Sequence, residues 1–182
     1  MQTGMPSIYY VVAAIVVVAV IFAIVASRRS KSAHLQRRFG PEYDRAVQTS
    51  GDRPSAEREL AAREARTRKF HLVELPRGAR DRYRDEWEAL QARFVDEPRP
   101  AVNSADNLVS NVMRDRGYPM ENFEQRATDI SPDHPGVVEN YRAAHDIASR
   151  SGEVSTEDLR QAMVHYRTLF GDLLGTDERT TS

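Results

Sequence analysis

Residues 8–26 read IYYVVAAIVVVAVIFAIVA, a run with no charge, no amide and no proline. At about 1.5 Å per residue, a helix of that length covers about 28 Å, close to the thickness of a bilayer's hydrocarbon core. Val and Ile form helices only moderately well in water. In lipid, a lone segment must satisfy its own backbone, and the helix is the one conformation that does so. Pro6 suits the start of such a helix, and Tyr9 and Tyr10 suit an interface. A cleaved signal peptide would need a basic n-region and a shorter apolar core. Met1–Ser7 has no basic residue, and the positives follow the run instead: Arg28, Arg29, Lys31, Arg37 and Arg38. The first acid, Glu42, comes after them. The positive-inside rule then places the N-terminus outside and the C-terminal part in the cytoplasm. As a by-product, the same cluster would attract anionic headgroups, by about 1 kcal/mol per residue near the surface.

All 26 basic and 27 acidic residues of the 182-residue chain lie beyond Ser27. The net charge of −1 gives no global field for nucleic acid, and no nucleic-acid partner is expected. The charge is split, with a net of +4 over residues 27–97 and −5 over residues 98–182. There is no cysteine, which excludes disulfides, a thiolate nucleophile and cysteine-ligated metal centres. Arginine outnumbers lysine 24 to 2, a bias that a GC-rich genome explains without any arginine-specific role.

Beyond the apolar run the periodicity is helical. Leu35, Phe39, Tyr43 and Val47 recur every four residues, interrupted at Gly40-Pro41, so two short helices or a kink are expected over residues 30–48. This stripe could lie on the bilayer or pack on later helices, and packing is favoured because it carries only four apolar groups. A charged helix, Ser55 to Lys69, has Leu60 as its one large aliphatic residue and reads as mostly solvated, or as a connecting arm. Phe70 to Leu75 reads as a short extended linker. Tyr83, Trp87, Leu90 and Phe94 define an amphipathic helix over 79–95, and Val102, Ala105, Val109, Val112 and Met113 another over 101–116. Gly117 stands where a C-terminal cap belongs, with Pro119 after it. Phe123 to Ala127 reads as a short turn of helix. Ser131-Pro132 is expected to open the next helix, with Val137, Val138, Tyr141, Ala144, His145 and Ala148 facing inward. Ser155 starts the last helix, lined by Leu159, Ala162, Met163, Tyr166, Leu169, Phe170 and Leu173.

The expected fold is all-α: one N-terminal transmembrane helix plus a small bundle of about three core helices, with a charged helical arm. The expected division is an anchor at 1–27, a basic juxtamembrane region and charged helical spacer at 28–76, a helical domain at 77–174 and a polar tail at 175–182.

No motif for chemistry stands out. The histidines are His34, His71, His134, His145 and His165; no two are four apart, and none has an acid three residues before it. There is no glycine-rich phosphate loop and no GxSxG nucleophile elbow. The aromatics at helical spacing read as core rather than as a ligand pocket. No catalytic residue, metal ligand or cofactor is expected. An enzyme with an unrecognised site would draw on His145 and His165, converging on shared acidic partners.

Four stretches, RFGPEYD (38–44), FVDEP (94–98), RGYP (116–119) and NYRAAH (140–145), resemble a family of uncharacterised bacterial single-pass membrane proteins with a charged helical cytoplasmic region. The resemblance spans Arg28 to about Leu174. It implies a bacterial inner (plasma) membrane setting and supplies no site residue. Together these readings point to a membrane-anchored helical protein-interaction module, an adaptor or scaffold. Its expected partners are the lipid bilayer and a protein that the sequence does not name. The alternatives are the His/carboxylate enzyme and a lipid-surface sensor built on residues 30–48.

Overall fold

A computed structural model describes residues 5–175, with side chains from residue 10 onward. The expectations for Tyr9 and for the tail beyond Gly175 therefore lie outside the described residues. The described residues form eight helices and no strand: α1 (Met5–Phe39), α2 (Pro41–Ser50), α3 (Arg53–Thr67), α4 (Arg77–Arg93), α5 (Pro98–Asp115), α6 (Phe123–Ile130), α7 (Val138–Ser149) and α8 (Thr156–Leu174). The all-α expectation holds. The chain divides into two compact units, Met1–Arg37 and Arg38–Ser182.

The described residues of the first unit form one continuous helix, part of α1. From Tyr10 to Ala26 every side chain is exposed, with Ile15 at 63 %, Val18 at 65 % and Phe22 at 74 %. It is the one helix among the described residues long and apolar enough to cross a membrane. It does not stop at the basic cluster; Arg28, Arg29, Lys31 and Arg37 continue its exposed surface.

The second unit begins earlier than expected. The charged segment 28–76 is not one spacer: from Arg38 onward it belongs to the helical unit. Gly40 has φ 47°, so the chain turns there, and Pro41 opens α2 at a position where a missing N–H costs nothing. Helix α3 packs on α2 and on α6, so its expectation as a solvated arm is corrected. The reason is composition on one face: Ala56 and Leu60 are both fully buried, and small alanines allow close approach with one large residue as the anchor. Phe39 and Tyr43 are buried in the same unit, which removes the stripe's central part from any surface role.

The main core lies among α4, α5, α7 and α8, with α6 closing one side; the expected bundle of about three core helices extends to these. Trp87 of α4 stacks on Phe170 of α8, with ring centroids 4.9 Å apart. Asp52, Asn122 and Ser155 cap α3, α6 and α8, each side chain accepting a backbone N–H three residues on. One expected start moves. Helix α7 begins at Val138, not at Ser131-Pro132, because α6 runs on to Ile130 and Ser131 closes it by donating from Oγ to the Thr128 carbonyl. Pro135 then disfavours helical geometry at His134, and residues 131–137 form turns. Helix α5 starts at Pro98, three residues before the expected Ala101, since both Pro98 and Pro100 fit its first turn.

Candidate functional site

Two of the open clefts on the helical unit are lined by histidine and arginine side chains. The first has a volume of about 600 Å³ and lies where the extended segment before α4, the start of α4, the end of α5, the 131–137 turns and the end of α8 meet. Its lining carries four guanidiniums, those of Arg77, Arg80, Arg84 and Arg116, and three carboxylates, those of Glu74, Asp81 and Asp172.

The floor of this cleft is a connected polar network. Arg116 Nη1 donates to the Leu173 carbonyl (3.0 Å) and lies 3.2 Å from His134 Nε2. An arginine can only donate, so His134 Nε2 accepts and the ring proton sits on Nδ1. Nδ1 is bonded in turn to the Asp172 carboxylate. The guanidinium thus satisfies a carbonyl in the last turn of α8, where the helix dipole is negative. An aspartate-bonded imidazole is also the base half of a nucleophilic site. Here its free nitrogen is occupied by Arg116 rather than aimed at a Ser, Thr or Cys.

The second cleft, about 620 Å³, includes Arg45, Phe123, Arg142, His145 and Asp146. His145 stacks flat on Phe123, with centroids 3.6 Å apart and planes 8° apart. Its Nδ1 is 3.8 Å from Asp106 Oδ1, the atom that accepts the Tyr166 hydroxyl at 2.8 Å. His165 has a different partner, Asn140 Oδ1, at 2.8 Å. The convergence on shared acids that an enzyme built on His145 and His165 requires is absent from the described residues. They also contain no group of three or more His, Asp or Glu side chains able to hold a metal ion.

The basic cluster is divided. Arg28, Arg29, Lys31 and Arg37 lie exposed in the first unit. Arg38 belongs to the second unit and pairs with Asp133 at 2.6 Å. Sequence reasoning missed the first cleft altogether. Its arginines come from the first two turns of α4 and from Arg116, and its His134–Asp172 pair spans 38 residues, so no local motif announces it. No protein-family model, no curated protein and no solved structure matches the chain.

Proposed function

We propose that the chain is a membrane-anchored helical interaction module, with residues 8–26 of α1 in the bilayer and the helical unit in the cytoplasm of a bacterium. The observation that carries this reading is the unrelieved exposure of large apolar side chains from Tyr10 to Val25. At about 25 cal/mol per Å², such a surface is strongly unfavourable in water and favourable in lipid. Arg28, Arg29, Lys31 and Arg37 directly after the apolar run support the inward orientation of the C-terminal part. The bacterial inner membrane follows from that asymmetry together with the resemblance of the RFGPEYD, RGYP and NYRAAH stretches. The helical unit supplies a packed frame with open clefts, and tethering raises the effective concentration of a partner at the membrane.

The test is topology. Reporter fusions at the two ends of the full chain are expected to place the N-terminus outside and the C-terminus inside, and alkaline extraction is expected to leave the protein with the membranes. A C-terminal reporter active outside the cell, or release by alkali, overturns the reading. Photo-crosslinkers placed around the two clefts in cells are expected to yield one discrete protein adduct. The same lipid-only background at every position overturns the adaptor role.

A further inference from the structure

Helix α1 carries no carboxylate, whereas each of α2 to α8 carries both signs of charge. Its last cation, Arg38, is taken by Asp133. Arg28, Arg29, Lys31 and Arg37 stay exposed, with no carboxylate partner among the described residues. The first acid of the chain, Glu42, is buried against Arg63 and Arg142. Because α1 runs unbroken from the apolar stretch to Phe39, helix geometry fixes the height of each cation beyond Ala26. Arg28, Arg29 and Lys31 stand about 3, 5 and 8 Å beyond it along the axis, and Arg37 about 17 Å. A headgroup layer is about 5–8 Å deep, so the first three lie within it. Arg37 stands about one Debye length farther out at physiological salt. At about 100° per residue the first three point to different sides of the axis, so they form a collar rather than a face.

We propose that Arg28, Arg29 and Lys31 form a collar that binds anionic phospholipid headgroups, with Arg37 and Arg38 outside the site. The inference rests on residues 8–26 lying in the bilayer, and it narrows the five-residue basic cluster to three cations at fixed depth. The guanidiniums fork onto phosphate oxygens, and the Lys31 ammonium adds a point charge. A zwitterionic lipid offers the same phosphate but brings its own cation, which competes for it. The collar therefore selects lipids by net charge. Three side chains spread around a helix build no pocket for a headgroup's shape, so phosphatidylglycerol and phosphatidylserine are held alike.

The experiment reconstitutes the full chain in phosphatidylcholine bilayers with a trace of spin-labelled lipid. Electron spin resonance measures how strongly each labelled lipid is held at the protein surface. Phosphatidylglycerol is expected to be held at least about threefold more strongly than phosphatidylcholine at low salt. Most of that preference should vanish at about 1 M salt, where charges are screened over a few ångströms. The triple variant R28Q/R29Q/K31Q should abolish it, while the charge-preserving R28K/R29K and the distal R37Q should keep it. Identical leaflets make the result independent of the direction in which the helix inserts. Equal holding of the two lipids by the unaltered chain, an unchanged preference in R28Q/R29Q/K31Q, or its loss in R28K/R29K or R37Q overturns the proposal. A chain that holds neither lipid overturns the membrane reading, and this inference with it.

Discussion

Glu42 of α2 and Arg142 of α7 are joined by a two-point ion pair across one hundred residues of chain, with Nη2 to Oε2 at 3.2 Å and Nη1 bonded to Oε1. Arg63 of α3 donates to the same carboxylate at 3.1 Å. Glu42 is 1 % exposed, and Arg63 and Arg142 are 13–15 % exposed. One buried carboxylate therefore ties the α2–α3 pair to the core. Breaking a buried pair costs more than the pair itself contributes, because Arg63 and Arg142 lose their buried counter-charge and keep only the exposed Glu59 and Glu139. Glu42→Gln should lower the stability of the helical unit by about 3 kcal/mol, measured by urea unfolding of the full chain in mild detergent. Replacing all three residues with Met should recover most of that loss. A triple variant as unstable as Glu42→Gln would contradict this account.

That ion cluster also shows where sequence reading stopped. Helices with their own local markers were legible: the Ser155 cap, Gly117 after α5, and the core faces of α4, α5 and α8 all lie where spacing puts them. The association of α2 and α3 with the core was not. ERELAAREAR reads as solvated because its charges look satisfied by neighbours three or four residues away. In the fold, Arg63 and Arg66 reach Glu42 and Asp129 on other helices. A local charge pattern is the same in both cases, and only tertiary placement distinguishes them. The Ser131-Pro132 start failed for a related reason. Ser is as able to close one helix as to open the next, and Pro135-Gly136 decided the matter.

Tyr118 is 3 % exposed, and its hydroxyl finds no hydrogen-bond partner. A buried unpaired hydroxyl costs about 1–3 kcal/mol relative to one in water, so removing it relieves a penalty while the ring packing against Phe70 stays. Tyr118→Phe should stabilise the unit by about 1 kcal/mol in the same urea assay. Destabilisation of that size would mean that the hydroxyl is bonded after all.

The tyrosines also set an alkaline limit. Burial, then the hydrogen bond to Asp115, pushes the Tyr83 phenol up to about 12 from its ordinary 10.0. Burial also raises Tyr118 and Tyr166, the latter with Asp106 beside it. A group whose folded pKa lies above its unfolded value holds its proton more tightly in the folded state. Its contribution to stability is complete below pH 10 and is lost as pH rises toward 12. Unfolding followed by circular dichroism should therefore begin only above about pH 10 and coincide with phenolate absorbance from these tyrosines. Independent titration of the phenols near their ordinary value, with the helices intact, would contradict it.

Gly117 and Gly78 should respond in opposite ways to the same added methyl group. Gly117 has φ 92°, a conformation that L side chains rarely adopt, and a Cβ there would lie 2.5 Å from the His71 carbonyl oxygen. That contact is backbone on backbone, and Val73 N–H is bonded to the Arg116 carbonyl at 2.9 Å, so neither strand of chain can easily give way. Strain of about 1–3 kcal/mol for the left-handed residue is then joined by a clash that must open the packing of the 71–75 segment on the end of α5. Gly117→Ala should cost at least about 2 kcal/mol by urea unfolding. Gly78 lies in the first turn of α4 with helical backbone and open space around it, so Gly78→Ala should be neutral or stabilising by up to about 1 kcal/mol. Equal effects at the two positions would mean that the 71–75 segment is not held against α5.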